Sequence, residues 1–203
     1  MRCVGILLCA GSASRMGFDK IITPLIGKTP VERSAEALIA GGVTELVFTC
    51  SEATRPFLST LSFPVPSRIV PGGATRQASV RNALLAGGGD IAVIHDAARC
   101  MVTPEIVARC VESAACFGSG VAAARATDTV LMEEEGGVRV IPRDNVWLMQ
   151  TPQCFSYPEI LAASRQAESD ATDDCTLYAR MGKAPRFVPC PPDNFKLTSP
   201  PDW

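Results

Sequence analysis

Short apolar runs alternate with amphipathic stretches along almost the whole chain. Residues 3–9, 45–50 and 91–94 are runs of mainly apolar residues that are too short for helices, which indicates buried strands. Further strands are predicted at residues 67–70, 120–124 and 186–188. Helices are predicted where apolar residues recur every three or four positions, at residues 30–40, 76–86, 157–167 and 172–181, and after Thr103 and Pro104.

This alternation of strands and helices predicts a fold of the α/β class. We expect one domain over residues 1–203, with a mostly parallel, mixed sheet covered by helices on both faces. A length of 203 residues suits one such domain, and neither a linker nor an internal repeat interrupts it. Because ligands bind beyond the carboxyl ends of the strands in such sheets, side chains directly after strands are the first candidates for a functional site.

Residues 128–147 interrupt the alternation. Two short apolar segments, 129–132 and 138–141, flank a turn at Gly136 and Gly137, which predicts a β-hairpin. An isolated two-stranded ribbon is barely stable in water, so it needs a surface on which to lie. That surface is either a second subunit or the hairpin's own domain, and the pattern alone favours neither.

Composition and charge exclude several function classes. A formal net charge of −2 gives no electrostatic pull toward nucleic acid or an anionic membrane. No apolar run approaches the ~20 residues of a membrane span, and an apolar strand that starts at Cys3 leaves no room for a signal peptide, so we expect a cytoplasmic protein. The nine cysteines form no Cys-x-x-Cys pair, which favours free thiols over a zinc site. The only histidine is His95, and no Gly-x-Ser-x-Gly elbow accompanies it, which argues against a Ser-His-Asp hydrolase.

The loop after the first strand carries the strongest chemical signal. Residues 9–20 combine small side chains, which let backbone N–H groups approach an anion, with two cations, Arg15 and Lys20. Such a loop can hold a triphosphate; the alternative is an ordinary turn with two solvated cations. The loop is neither a P-loop nor a Gly-x-Gly-x-x-Gly dinucleotide-binding loop, because only Gly11 and Gly17 are glycine and no glycine precedes Lys20.

Further segments carry weaker signals. A glycine turn at residues 71–73 runs into a predicted helix and offers N–H donors and room for a flat base. After a buried strand, Asp96 can take a ribose hydroxyl or a hydrated Mg²⁺, and Arg99 can clamp a phosphate; the alternative is an Asp–Arg pair that stabilises the loop. Arg143 after the hairpin and Lys196 in the proline-rich tail are ordinary solvated cations when each is taken alone.

In combination, these segments resemble the 2-C-methyl-D-erythritol 4-phosphate cytidylyltransferase family. The matching blocks occur in the family's order and cover nearly the whole chain: residues 9–20, 71–80, 95–99, 128–129, 151–153, 172–174 and 193–198. The chain departs from the usual pattern at Cys9, Ala13 and Cys100, where Ala, Gly and Pro are common. The resemblance implies a Rossmann-like nucleotidyltransferase fold with a protruding hairpin arm.

The resemblance also implies a site and a reaction. CMP would pass from CTP to the phosphate of a small polyol, with Arg15 and Lys20 stabilising charge at the α-phosphorus and Arg143 and Lys196 positioning the substrate phosphate. The nucleotide and the alcohol would be bound by Ala10, Gly11, Ser12, Gly72, Gly73, Arg76, Ser79, Asp96, Arg99 and Thr129. Mg²⁺ is the implied cofactor, held mainly by nucleotide phosphates, with Asp96 as the protein ligand. The family's arm crosses a homodimer, so Thr129 and Arg143 would serve the neighbouring subunit.

Three alternatives stay open. A ribitol-5-phosphate cytidylyltransferase uses nearly the same motifs and differs in the polyol pocket. A guanylyltransferase of molybdopterin synthesis shares the first loop, but the blocks at 95–99 and 194–196 argue against it. A non-catalytic nucleotide-binding or scaffolding protein of the same fold is disfavoured because the cations and Asp96 are intact.

Overall fold

The computed structural model describes residues 1–11, 17–166 and 171–203. The strands are β1 (Cys3–Cys9), β2 (Glu45–Cys50), β3 (Ser67–Pro71), β4 (Ile91–Asp96), β5 (Ser119–Arg125), β6 (Val130–Glu134), β7 (Gly137–Ile141), β8 (Trp147–Ser156) and β9 (Phe187–Pro189). The helices are α1 (Pro30–Ala40), α2 (Arg55–Leu58), α3 (Arg76–Ala86), α4 (Pro104–Phe117), α5 (Tyr157–Gln166) and α6 (Asp174–Arg180), and 3₁₀ turns span Arg143–Asn145 and Pro200–Asp202.

Seven strands form one sheet in the order β3-β2-β1-β4-β8-β5-β9. The first four of these are parallel to one another, and β5 is parallel to β9, whereas β8 is antiparallel to both of its neighbours. The predicted mostly parallel, mixed sheet is therefore confirmed. Its parallel part brings the carboxyl ends of β1, β2, β3 and β4 to one edge.

The sequence does not predict strand β8. Its centre carries Gln150, Thr151, Pro152 and Gln153, a polar, proline-containing run that is typical of a loop. The sheet accommodates this run because the β5–β8 register shifts between Val121 and Ala123, which lets the proline sit at an irregular step of the ladder. The three polar side chains are buried because they bond to neighbours inside the protein.

Helices cover both faces of the sheet because side chains alternate along each strand. On one face α1 and α4 bury a cluster that includes Leu7, Val31, Val93 and Val107. On the other face α3, α5 and α6 bury a cluster that includes Ile6, Leu84, Ile94 and Ile160. The short strands predicted from apolar runs are thus buried on both sides, as parallel strands usually are.

Capping residues explain why the predicted ends of α1 and α3 agree with the structure. The Thr29 hydroxyl accepts from the Glu32 N–H while the Glu32 carboxylate accepts from the Thr29 N–H, which forms a capping box. Thr75 caps α3 through the Ala78 N–H. The sequence does not predict α2, which has only four residues and no side-chain cap.

Strands β6 and β7 form the predicted hairpin, which we call the arm together with its flanks (residues 128–147). Within the described part of the chain the two strands pair only with each other, in a register that joins Val130 to Ile141. The arm leaves the sheet at the end of β5 and returns at the start of β8, where Arg125 and Trp147 are Cα partners. Leu131, Val138 and Val140 are more than half exposed, so the arm is not packed on its own domain through these side chains.

The structure agrees with the prediction that the cysteines are free thiols. All nine cysteines are free, and only Cys116 is exposed. Among the described residues no helix has the length and apolar character that crossing a membrane requires.

Candidate active site

A cavity of about 470 Å³ opens where the carboxyl ends of β1, β2 and β4 meet the loop before α3. It gathers residues that are far apart in the sequence and that the motifs single out. Those that line it are Ala10, Gly11, Lys20, Gly73, Arg76, Ser79, Asp96 and Lys196. The cavity lies at the edge of the sheet where the sequence predicts the site, and the role of its residues stays a prediction. Ser12 and Arg15 lie outside the described residues.

Asp96, at the end of β4, is the electrostatic centre of the cavity. Its Oδ2 accepts a hydrogen bond from the Lys196 Nζ at 2.7 Å, and its Oδ1 accepts a long one from the Arg76 Nε at 3.4 Å. Burial alone would raise the pKa of this carboxyl, but the charges of Arg76 and Lys196 outweigh burial and lower the pKa well below its usual range. Asp96 is therefore a buried anion at every physiological pH.

The loop that carries Lys196 is fastened to the rest of the site by Asn194 and Leu197. The Asn194 Nδ2 donates to the Gln150 Oε1 and to the Thr151 carbonyl, both at 2.9 Å. The Leu197 N–H donates to the Ala98 carbonyl at 2.9 Å. These bonds keep Lys196 within reach of Asp96 although 100 positions separate the two residues.

Arg99 makes a contact that the sequence does not predict. Its Nη1 donates to the Asn194 carbonyl at 2.8 Å, so it braces the Lys196 loop. The alternative of an Asp96–Arg99 ion pair is wrong, because Asp96 pairs instead with Arg76 and Lys196. Arg99 does not line the cavity in this structure, and its part in binding phosphate stays a prediction.

His95 is a buried structural histidine rather than a base. The Thr151 hydroxyl accepts from the Asp96 N–H and donates to the His95 Nδ1 at 3.0 Å, so the Nε2–H is left to donate to the Arg99 carbonyl at 3.2 Å. Burial lowers the pKa of His95 to about 4. The ring is neutral, holds the loop after β4 and does not line the cavity.

The glycine turn before α3 fits tightly against the loop after β1. A Cβ at Gly72 would lie 2.3 Å from the Cβ of Ala10, so no larger residue fits there. The Gly72 N–H donates to the Cys50 carbonyl, and the Gly73 N–H donates to the Ser79 Oγ at 2.9 Å. Both donors are thus used inside the protein, and recognition of a base in this cavity would rely on other groups of the turn.

Thr129 and Arg143 lie on the arm and do not line the cavity. Both are exposed, and the Arg143 Nη1 donates to the Thr127 carbonyl at 2.9 Å. A single chain therefore does not bring them to Lys20, Arg76 and Lys196, and their service to a neighbouring subunit stays a prediction.

Two buried polar residues of the site have no role assigned by sequence reasoning. The Asp174 Oδ2 accepts from the Arg76 Nη1 at 2.8 Å. The Gln153 Oε1 accepts from the N–H groups of Asp174 and Cys175 at 3.1 and 2.9 Å. Both belong to blocks that match the family, 151–153 and 172–174, and this match is the signal that singles them out.

Comparison with known proteins gives consistent matches over almost the full chain. The family model described as 2-C-methyl-D-erythritol 4-phosphate cytidylyltransferase matches residues 3–203. A bifunctional enzyme IspD/IspF of Anaeromyxobacter dehalogenans is 36% identical over 212 residues, which cover 99% of this chain and 55% of that protein. A 2-C-methyl-D-erythritol 4-phosphate cytidylyltransferase of Deinococcus radiodurans is 35% identical over 206 residues, covering 99% of this chain and 86% of its own length.

A solved structure shows the same fold. The crystal structure of 2-C-methyl-D-erythritol 4-phosphate cytidylyltransferase from Thermus thermophilus matches with a TM-score of 0.80 at 28% identity, covering 97% of this chain and 93% of that one. The chain spans about half the length of the bifunctional relatives that it matches.

Proposed function

Because this chain belongs to the 2-C-methyl-D-erythritol 4-phosphate cytidylyltransferase family, we propose that it transfers CMP from CTP to 2-C-methyl-D-erythritol 4-phosphate in non-mevalonate isoprenoid precursor synthesis. The observation that carries the proposal is the cavity that Lys20, Arg76 and Lys196 line together with the buried carboxylate of Asp96, which pairs with Arg76 and Lys196. Three cations at one cavity suit a reaction in which a triphosphate and a phosphate monoester must meet.

The chemistry needs positioning and charge stabilisation rather than a base. An oxygen of the substrate phosphate, already an anion, attacks the α-phosphorus of CTP; a P–O bond forms to it as the bond to pyrophosphate breaks. Charge builds on the oxygens of the α-phosphoryl group, where a fixed cation is worth most. We propose that Lys20 and Arg15 supply the cations that stabilise this charge. Lys196 and Arg143 would hold the attacking phosphate in line. The neutral, buried His95 fits a reaction without a general base.

Mg²⁺ is the proposed cofactor, and Asp96 its protein ligand. Within residues 1–11, 17–166 and 171–203, no group of three or more His, Cys, Asp or Glu side chains could hold a metal ion alone. Mg²⁺ usually keeps several waters and binds through one or two carboxylates plus substrate phosphates, so a site with Asp96 as its protein ligand fits this ion. When bound, the ion would neutralise triphosphate oxygens.

We also propose a homodimer formed through the arm. Leu131, Val138 and Val140 are 55%, 66% and 63% exposed, a run of apolar surface that a second subunit would bury. The same contact would carry Thr129 and Arg143 to the neighbouring cavity. The proposed setting is the cytoplasm, with CTP and a small phosphorylated polyol as partners and no nucleic acid or membrane.

Pyrophosphate release tests the function. The protein is incubated with Mg²⁺, CTP and either 2-C-methyl-D-erythritol 4-phosphate or ribitol 5-phosphate, with GTP replacing CTP in a parallel arm. We expect release that requires CTP and is faster with the methylerythritol phosphate. Preference for the ribitol phosphate would assign the alternative cytidylyltransferase, preference for GTP would contradict the nucleotide, and CTP binding without turnover would indicate a binding protein.

A further inference from the structure

Asp174, the first residue of α6, is a buried carboxylate with one side-chain partner. It is 1% exposed, its Oδ2 accepts from Arg76, and its Oδ1 has no hydrogen-bond partner among the described residues. It does not cap the helix, because the neighbouring Asp173 accepts from the Thr176 N–H at 2.8 Å and fills that role. Burial raises the pKa of this carboxyl although Arg76 lies against it, so keeping Asp174 ionised is unfavourable for folding by itself, which points to a role in the site.

Strand β8 prevents Asp174 from moving away from Arg76. The Gln153 side chain accepts from two successive N–H groups at the start of α6, and its Nε2 donates to the Gln150 carbonyl at 3.2 Å. Gln153 is itself 1% exposed, so these bonds are shielded from water. The first turn of α6 is therefore fixed to the centre of the sheet, and the carboxylate of Asp174 is fixed with it.

Arg76 connects this fixed carboxylate to the cavity. Its side chain is 26% exposed and spans two anions: the contact with Asp174 is 2.8 Å, whereas the contact with Asp96 is 3.4 Å. The guanidinium is thus anchored on Asp174 and makes only a long contact with Asp96. Because Arg presents several donors in a rigid fork, the position of one anchored nitrogen determines where the others point.

We propose that Asp174 is a positioning residue for the transfer reaction: it draws the Arg76 guanidinium back from Asp96, so that the Asp96 carboxylate keeps an oxygen available for the metal–nucleotide complex or the ribose. This inference rests on the proposed function of the cavity. Without the charge of Asp174, Arg76 pairs fully with Asp96 and competes with the nucleotide for it.

Two adjacent substitutions of the same kind separate this role from a structural one. Asp174→Asn removes the charge that anchors Arg76, and we expect kcat/KM for CTP to fall about 10- to 100-fold, with a higher Mg²⁺ concentration for half-maximal rate. Asp173→Asn is the matched control, because asparagine caps a helix as well as aspartate does. We expect the control to stay within about twofold of the wild type in both readouts. Equal effects of the two substitutions would overturn the proposal.

A double-mutant cycle tests whether Asp174 acts through Arg76. If it does, Asp174→Asn added to Arg76→Met changes kcat/KM for CTP by no more than about twofold relative to Arg76→Met alone, because the residue through which it acts is already gone. If the two losses multiply, Asp174 acts independently of Arg76 and the proposal is wrong. Should Asp174→Asn not fold, Asp174→Glu keeps the ion pair and moves the carboxylate by one methylene; kcat/KM identical to that of the wild type in a folded Asp174→Glu protein would equally overturn it.

A binding measurement keeps this inference separate from the proposed reaction. Calorimetric titration of CTP with Mg²⁺ into the wild type, Asp174→Asn and Asp173→Asn reports on Asp96 without any turnover. Weaker CTP binding in Asp174→Asn alone supports the positioning role even if the wild type proves inactive with methylerythritol phosphate, an outcome that would contradict only the function. Unchanged CTP affinity and unchanged Mg²⁺ dependence in Asp174→Asn would contradict the positioning role.

Discussion

The cavity and the arm differ in which side chains they expose to solvent. In the cavity the charges are tied to one another in a run from buried Asp174 through Arg76 and buried Asp96 to the more exposed Lys196. On the arm apolar side chains face the solvent, with Val138 66% and Val140 63% exposed. The charges of the cavity pair within one chain, whereas the apolar side chains of the arm are left exposed by the described residues of their own chain.

This difference separates what one chain fixes from what assembly would add. Bonds from β8 and the Lys196 loop hold the cavity's charges at set distances, so their geometry does not depend on a partner. Burying a fully exposed valine or leucine contributes about 1.5–3 kcal/mol; Leu131, Val138 and Val140 are already partly covered, so a partner on the arm would gain a part of this from each of them. The predictions below test the cavity and the arm in turn.

The largest expected effect is in the cavity, at Lys20. Lys20→Ala should lower kcat by roughly 10²–10³-fold with little change in CTP binding, because the lysine acts on charge that grows in the transition state. Steady-state pyrophosphate release measures it. The control is Lys28→Ala, since Lys28 is outside this cavity and pairs with Glu36 at 2.7 Å on the surface. Near-normal turnover of Lys20→Ala would contradict the assignment of this lysine.

On the arm, charge on one face of the ribbon should prevent dimer formation. Val138 and Val140 lie two positions apart on β7, and Val140 is the Cα partner of Leu131. We expect Val138→Lys with Val140→Lys to weaken association by about 10- to 100-fold or more, measured by sedimentation velocity over a range of concentrations. Met132→Lys, at an exposed neighbouring position whose side chain points to the opposite face, is the control. A dimer that survives the double substitution would show that these two valines do not form the interface.

Buried His95 should make the free energy of unfolding depend on pH. The unfolded chain protonates this ring near its ordinary pKa of 6.5, whereas the folded protein does so only near a pKa of about 4. The contribution of His95 to the free energy of unfolding is therefore fully present above pH 6.5 and is lost as the pH falls toward 4. Between pH 7 and pH 5 the free energy of unfolding should fall by about 2 kcal/mol for this reason. Urea unfolding at the two pH values measures the loss, and His95→Asn should reduce it because the chain has no other histidine. An identical pH dependence in the variant would assign the loss to other groups.

The smallest expected effect is in an activity measurement that combines a substitution in the arm with one in the cavity. If Arg143 serves the neighbouring cavity, mixing inactive Arg143→Ala with inactive Lys20→Ala gives heterodimers in which one site carries both substitutions and the other carries none. With random exchange, activity should return to about a quarter of the wild-type value. Native mass spectrometry must show the exchange, and both parent proteins must be folded dimers. Proven exchange without any activity would mean that Arg143 acts in its own subunit.

Local signals make much of the fold predictable from the sequence. Thr29 and Pro30 mark the start of α1 because capping and a fixed φ act within a few residues. By the same logic β8 is not predictable, since Thr151 and Gln153 are polar residues whose burial depends on partners elsewhere in the chain. A buried polar strand looks like a loop until those partners are known.

The candidate site divides in the same way. The family resemblance implies that Lys20, Asp96 and Lys196 belong to one site, and the structure brings them to one cavity. Their pairing is not predictable: Arg99 is three positions from Asp96 and bonds elsewhere, while Asp174 reaches Arg76 across 98 positions. Proximity in sequence favours the wrong ion pair, Asp96 with Arg99. The topology of the sheet, rather than distance along the chain, decides which side chains meet.

The pairing of Arg125 with Trp147 determines how much conformational entropy the arm costs the fold. The chain leaves and re-enters the sheet at neighbouring points, and the Arg125 guanidinium lies over the Trp147 ring at 3.8 Å from its centre. The connection between them is therefore a loop whose closure entropy grows only with the logarithm of its length, so replacing the arm by a short turn would change it by roughly 1 kcal/mol. Mutation can therefore lengthen or shorten β6 and β7 while the sheet stays intact, and Arg143 keeps its place at the base of the arm, where it donates to the Thr127 carbonyl.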